Sequence, residues 1–372
     1  MPCYGYEKIF PIRVSYEGKT AYLFPWYKIY RIFHYMILYN PNCTMPLIDF
    51  GILIPSRYDK QERVYEGLKN GPLKEFPEHL WHRTPSCRGI EKEDLLRVHT
   101  KEYVNRLYSP LVGQEAILAF ELIDSTGNYN RYDPTKARRP LSDLFIRALA
   151  NTQGTYETCT TALETGFAYH LGGGSHHAMP DHGAGFCMIN DLIVALRKVQ
   201  AENRIQTAWI IDVDAHKGDG TAVLTKGDSS IRTLSIHMAQ GWPLDTPEYG
   251  PDGSYNLSYT PSDIDIGIFP GEEDQYVSRL AEGLKGIEQF GYPDLALVVD
   301  GSDPFEGDEL PSADLLKLSE NDLFRRDLLI YHFLEERSIP SAWVMAGGYG
   351  KNSWKIYVNF LGAVLPERLT KK

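Results

Sequence analysis

Four stretches of the chain run an apolar segment straight into a polar turn marked by glycine: GFAYHLGGGSHH (166–177), AWIIDVDAHKGDG (208–220), LALVVDGSDP (295–304) and WVMAGGYG (343–350). Short apolar runs bounded by such turns predict buried strands. Between and after them, apolar residues at helical spacing predict helices at about 142–165, 190–202, 273–290 and 320–337, with further strands at 231–236 and 341–346. Strands spaced by helices imply a mostly parallel sheet covered on both faces, a three-layer α/β architecture. Ligands of such sheets bind at the carboxyl ends of the strands, so the four turns are expected to converge.

The first 140 residues pattern differently. SRYDKQERVYEGLK (56–69) and EKEDLLRVHTKEYVNRL (91–107) read as exposed helices, and 109–140, with Gly127, Pro134 and Pro140, reads as an irregular insertion. Residues 1–45 are unusually aromatic (YLFPWYKIYRIFHYMILY from 22 to 39), either a helical arm packed on the body or a self-association surface that would make the chain a homo-oligomer. Lys28, Arg31 and His34 interrupt that stretch, which argues against a membrane span, and residues 4–13 hold no apolar run of the kind a signal peptide needs.

Composition changes this picture little, but charge narrows it. The net charge of -11 argues against a nucleic-acid binder that lives on phosphate contacts. Cys3, Cys43, Cys87, Cys159 and Cys187 are odd in number and show no paired spacing, so free thiols in a reducing compartment, the cytoplasm, are expected.

The chemistry lies in the turns. Alternate side chains of an extended backbone share a face, so Asp212, Asp214 and His216 point together where the apolar run 209–211 ends. Unpaired charge at the end of a buried strand is costly. A divalent metal compensates it: Asp214 and His216 are ligands of the kind zinc takes, and Asp303, just past the strand 295–299, is the natural third. A lone Asp-x-His is more often a surface turn; its joint occurrence with Asp303 at a second strand end makes the ligand reading. His176 and His177 follow three glycines, Gly172 to Gly174, that let the backbone approach a ligand closely. Imidazoles move protons near neutral pH, and Asp212 and Asp219 can each take the N–H of one of them. Tyr349, behind Gly347 and Gly348, can donate a hydrogen bond to a developing oxyanion. Other chemistries are less well equipped. The three glycines lack dinucleotide-binding spacing and a Walker lysine, Ser175 has no nucleophile-elbow frame, and Cys187 reads as a packing residue.

With these residues assembled, the chain resembles the histone deacetylase superfamily of zinc-dependent deacylases, most of all its class IV branch. The resemblance rests on GGGSHHAMPDHGAGFCMIND (172–191), IDVDAHKGDGT (211–221), LSIH (234–237), DGSDPFEGD (300–308) and AGGYG (346–350), in family order over roughly 90–350. It implies an arginase/deacetylase-like fold, with 1–372 as a single catalytic domain, and one zinc, or alternatively ferrous iron, at Asp214, His216 and Asp303. It further implies that His176 pairs with Asp212 and His177 with Asp219, that His177 is the general base and then acid, and that His176 is chiefly electrostatic. Tyr349 would hold the oxyanion. A structural potassium ion would take carbonyls of Asp212, Asp214, His216 and Ile236 and the Ser235 hydroxyl, and Gly185, Phe186, Trp242 and Gly347 would wall an acyl-lysine channel. Lys217 and Ser175 depart from the family pattern, Lys217 adding a positive charge near the metal.

The implied substrate is an acylated lysine in a protein or peptide, the acyl group being acetyl or longer, with no direct nucleic-acid partner. Three alternatives stand beside it: an acetylpolyamine amidohydrolase, a binuclear manganese ureohydrolase, and a silent acyl-lysine binder.

Overall fold

In the computed structural model, residues 12–16, 19–23, 36–44, 46–55 and 59–370 are described. Within residues 1–33, β1 (Ile12–Tyr16) and β2 (Lys19–Leu23) pair as an antiparallel hairpin. The rest of the aromatic N-terminal stretch, and with it its packing on the body, lies largely outside the described residues. The helical reading of that stretch fails at its end, where Ile37–Leu38 is a strand.

Residues 34–372 form one compact unit around an eight-stranded sheet. Its strands are β3 (Ile37–Leu38), β4 (His82–Arg83), β5 (Phe167–His170), β6 (Ala208–Asp212), β7 (Ile231–Met238), β8 (Ile264–Ile268), β9 (Leu295–Asp300) and β10 (Ser341–Met345). The order is β4-β3-β5-β10-β9-β6-β7-β8 and every pairing is parallel. Burial on both faces explains the unbroken apolar runs. Trp209, Ile211, Val298 and Trp343 pack on one face, while their neighbours Ile210, Leu297, Ala342 and Val344 pack on the other, the period-two alternation of a pleated strand.

Ten α-helices are described: α1 (Lys60–Asn70), α2 (Lys92–Leu95), α3 (Lys101–Leu107), α4 (Val112–Ala119), α5 (Asp143–Thr165), α6 (Asp191–Ala201), α7 (Asp219–Thr225), α8 (Tyr276–Ile287), α9 (Glu320–Glu336) and α10 (Ser353–Thr370). Residues of α5 and α6 join the core on one face of the sheet, and those of α1, α8, α9 and α10 the core on the other, giving three layers. Their starts follow local chemistry. Asn190 caps α6 through its side chain, and Ser319 and Asp322 close a reciprocal capping box at α9. The stretch 91–107 is two helices, α2 and α3, and 109–140 contains α4.

A second expectation is overturned. Cys43 and Cys87 form a disulfide, with Cα atoms 5.7 Å apart. Parallel pairing of β3 with β4 carries the segments that follow them side by side, and the Asn40 side chain donates to Pro85 O across the gap at 2.8 Å. A separation of 44 residues gave no hint of this in the sequence, and the compartment can no longer be read from a set of free thiols. Cys159 and Cys187 are free and buried, while Cys3 lies outside the described residues. No helix among the described residues is long and apolar enough to cross a membrane.

Candidate active site

The four turns converge at the carboxyl edge of β5, β6, β9 and β10. Asp214, His216 and Asp303 are all buried, and one ligand atom from each lies within 4.8 Å of the others. The His216 Nδ1 stands 3.2 Å from Asp214 Oδ1 and 3.1 Å from Asp303 Oδ2. Backbone amides hold the remaining carboxylate oxygens: Gly347 N–H donates to Asp214 Oδ2 at 2.9 Å and Ala215 N–H to Asp303 Oδ1 at 3.1 Å. Glycine is required around this cluster, since a Cβ at Gly301 would meet Asp214 Oδ2 at 2.5 Å and one at Gly347 would meet Asp303 Oδ2 at 2.4 Å. Burial and the charge of Asp214 lift the Asp303 pKa to about 7. Two buried carboxylates and an imidazole crowded together in this way fit a divalent cation.

Two His–Asp pairs flank the triad. His176 Nδ1 lies 2.7 Å from Asp212 Oδ2, and His177 Nδ1 lies 2.8 Å from Asp219 Oδ1. The two imidazoles are tuned apart. Burial lowers both, but at His176 the charges of Asp212 and Asp214 outweigh it and raise the pKa to about 9. At His177 burial, reinforced by the neighbouring His176, lowers it to about 4. Ser258, which nothing in the sequence pattern singled out, donates to Asp219 Oδ2 at 2.8 Å and fixes the second pair. The glycine loop before the histidines is anchored by Asp191, which accepts from Gly174 N–H at 3.1 Å and Ser175 N–H at 2.6 Å.

Tyr349 is part-buried. Its N–H donates to Asp308 Oδ2 at 2.7 Å, and burial together with the charges of Asp303 and Asp214 holds its phenol well above the ordinary range, so it remains a hydrogen-bond donor. Its loop is clamped by an unforeseen residue, Lys60 on α1, whose ammonium donates to Ala346 O at 2.9 Å and Gly347 O at 3.1 Å.

Two cavities meet at these residues. The outer one, about 230 Å³, is walled by Phe186, Trp242, Leu310 and Tyr349, with Glu121, Arg131 and Asp245 also on its lining. The inner one, about 130 Å³, is lined by Gly172 to Ser175, Lys60, Arg147 and Asn151. His177, Gly185, Phe186, His216 and Tyr349 border both. The Trp242 ring stands 4.5 Å from that of His177, edge to face. Gly185 is obligatory, because a Cβ there would meet Trp242 at 2.4 Å and His177 at 2.5 Å. Phe186 adopts φ 68, a conformation a bulky residue rarely takes and one that clusters at ligand clamps. Its N–H donates to Ala119 O at 2.8 Å, and its ring stacks 6.0 Å from Phe120.

Lys217 does not face the triad with a free charge. It is buried and ion-paired to Asp265, which also accepts from His237 at 3.0 Å. Ser235 and Ile236 lie on β7 beside Asp212, Ser235 in register with it, and the Ser235 hydroxyl is buried with no hydrogen-bond partner among the described residues.

Known proteins resemble this chain in sequence. Residues 54–361 match the family model of the histone deacetylase domain. Histone deacetylase 2 of Arabidopsis thaliana is 27% identical over 270 residues, 71% of this chain and 63% of that protein. An uncharacterized protein of Picosynechococcus sp. is 35% identical over 207 residues, covering 55% and 64% respectively. Acetoin utilization protein AcuC of Staphylococcus aureus is 29% identical over 188 residues, 50% of this chain and 47% of AcuC. The chain thus spans between about half and two thirds of the length of the curated relatives it matches.

Proposed function

Since the chain belongs to the histone deacetylase family, we propose that it is a metal-dependent hydrolase removing acyl groups from the ε-amine of lysine in proteins or peptides. The observation that carries this reading is the border shared by the two cavities, where His177, His216 and Tyr349 meet, with His176 and Asp214 on the inner cavity and Asp303 completing the buried ligand cluster with Asp214 and His216. Asp214, His216 and Asp303 would hold the ion, zinc or iron, which when bound polarises the acyl carbonyl and lowers the pKa of water.

The protein's own groups supply the rest. The lysine arm runs through the outer cavity between Phe186 and Trp242. His177, its Nδ1 engaged by Asp219, offers Nε2 as the base that takes a proton from the attacking water and returns it to the departing amine. His176, kept cationic by Asp212 and Asp214, adds a positive charge beside the reacting carbonyl. The Tyr349 hydroxyl donates to the oxyanion as the carbonyl carbon becomes tetrahedral. The partnerless Ser235 hydroxyl supports a potassium ion at the carbonyls of Asp212, Asp214, His216 and Ile236. Asp212 is committed to His176, which favours one catalytic ion over a manganese pair.

The outer cavity also supports a second reading, an acetylated polyamine, through Asp245 and Glu121; Arg131 offsets the latter, its guanidinium 3.1 Å from the Glu121 carboxylate. Incubation with acyl-lysine peptides and with acetylspermidine, followed by mass spectrometry, separates the two. Tyr349→Phe and His177→Ala are each expected to lower hydrolysis by on the order of 10². Unchanged rates in both variants refute the mechanism, and turnover of the polyamine alone refutes the lysine substrate.

A further inference from the structure

An imidazole that ligates a metal has a second nitrogen to satisfy, and at His216 each nitrogen has its own partner. Nδ1 faces Asp214 Oδ1 at 3.2 Å and Asp303 Oδ2 at 3.1 Å. Nε2, on the far edge of the ring, meets Ser312 Oγ at 3.2 Å. Among the described residues this is the one hydrogen bond of the Ser312 hydroxyl, which makes none to its own turn. The hydroxyl stands on rigid ground. Ser312 is the middle residue of a 3-10 turn, Pro311–Ala313, in which Ala313 N–H donates to Leu310 O at 3.0 Å and both Leu310 and Ala313 are buried in the core. Asp308 fixes the entry to this turn: Oδ1 accepts Leu310 N–H at 2.9 Å, and Oδ2 accepts the N–H groups of Tyr349 and Gly350. One carboxylate thus ties the Ser312 turn to the loop that carries Tyr349.

The carboxylate ligands are steadied by backbone amides, Asp214 by Gly347 N–H and Asp303 by Ala215 N–H. The His216 ring relies on side chains. The rings of Trp242 and His177 stand edge to face with it, at 5.7 Å and 6.0 Å. Such contacts confine the ring without telling its two edges apart. A half-turn about Cβ–Cγ would bring Cδ2 to the carboxylates in place of Nδ1, and Cε1 to Ser312 in place of Nε2. Only the hydrogen bond at Nε2 distinguishes the two orientations. A cation that takes the Nδ1 lone pair leaves the ring's remaining proton on Nε2, and that N–H needs an acceptor. We infer that Ser312 is a positioning residue of the metal centre: its Oγ accepts Nε2–H of His216 and holds the imidazole with Nδ1 turned to Asp214 and Asp303. Loss of such a partner weakens metal binding by on the order of 10-fold to 100-fold. Ser312 also borders the outer cavity, so water can reach Nε2 in its absence, and the loss should fall near the lower end. This role rests on the metal-centre part of the proposed function and is independent of which acyl group is removed.

The test uses the full chain stripped of metal with a chelator, and reads zinc affinity by competition against a chromogenic chelator. Ser312→Ala should weaken zinc binding on the order of tenfold, and Ser312→Thr, which keeps the hydroxyl, should restore it to within about threefold of the wild type. The thermal midpoint of the metal-free protein should be the same in all three, because the hydroxyl holds nothing else. Reconstitution with cobalt(II) adds a view of the ligand geometry: the visible bands should shift in Ser312→Ala and return in Ser312→Thr. Equal zinc affinity and equal cobalt bands in the wild type and Ser312→Ala overturn the assignment. So does a loss of affinity that Ser312→Thr fails to rescue and that comes with a lower metal-free midpoint, since the residue then serves the fold. A wild type that binds no zinc removes the metal centre and the role of Ser312 with it. The expected affinities in a protein that cleaves no acyl-lysine peptide uphold Ser312 while the deacylase reading fails.

Discussion

His99 offers a test of how the segment carrying the catalytic histidines is held. Its buried imidazole lies 2.9 Å from Met179 O through Nδ1 and accepts Asn190 N–H at 3.2 Å through Nε2, tying together the two ends of the loop that includes Gly185 and Phe186. That arrangement needs the neutral ring, and burial lowers the pKa to about 4. In the unfolded chain the group titrates near 6.5. Its folded pKa is depressed, so between these values the unfolded state binds more protons. The neutral ring's contribution is fully present above pH 6.5 and is lost as pH falls toward 4. Linkage puts the loss at about 1.4 kcal/mol at pH 5.5 and about 2 kcal/mol at pH 5, levelling off near 3 kcal/mol. His99→Gln removes the titration while keeping a polar side chain. Urea midpoints for both proteins at pH 7.5, 6.5, 5.5 and 5 measure it, because acid effects elsewhere, including loss of metal, are common to both. The wild type should lead at pH 7.5, and its lead should shrink by about 2 kcal/mol at pH 5. A gap that stays flat across this range refutes the neutral buried imidazole.

Other consequences are open to measurement. Lys60→Met leaves the Ala346 carbonyl without the ammonium it accepts from, while Gly347 O keeps the Tyr357 hydroxyl at 2.8 Å. It should cost roughly 1–3 kcal/mol in thermal or chemical melts and lower kcat more than it raises KM. Ser258→Ala frees one oxygen of Asp219 and should reduce kcat about tenfold with KM little changed; equal turnover in the two proteins would remove Ser258 from the positioning of His177. Addition of a divalent ion at about 100 times its dissociation constant should stabilise the protein by about 3 kcal/mol in a calorimetric melt, and Asp303→Asn should abolish that gain. Gly154→Ala should destabilise by about 1–3 kcal/mol, because the added Cβ would lie 2.2 Å from the His170 ring.

Much of this was legible in the chain because the chemistry sits where buried strands end. A short unbroken run such as LALVVD, bounded by turn residues, reads as a strand covered on both faces, and the polar residues that follow it then fall at one sheet edge. That reasoning reaches Asp214, His216 and Asp303, and it brings His176, His177 and Tyr349 to the same edge. It does not reach residues whose partners are distant and whose neighbours are ordinary. Lys60 opens a helix that reads as an exposed polar one, and Arg147 is one cation on a mixed helix. Arg326 and Asp327 resemble a solvent-facing pair but are wholly buried, the guanidinium clasping Asp300 at 2.6 Å and the carbonyls of Val213 and Gly301 directly beneath the ligands. The disulfide was invisible for the same reason, since two thin strands in parallel register bring its cysteines together.

The strand order has a consequence for the protein's birth. The last two strands made, β9 and β10, occupy the middle of the sheet between β5 and β6. A nascent chain that has emerged only as far as β8 therefore holds two separate half-sheets, β4-β3-β5 and β6-β7-β8, each with an open edge. One half carries the histidine pair and the other carries Asp214 and His216, with Asp303 and Tyr349 still to come. Such exposed edges invite association with other chains, and the long-range pairings that heal them are slow to form. The metal centre can close only when β9 and β10 have inserted between the halves, so the ion cannot be captured until those strands join the sheet.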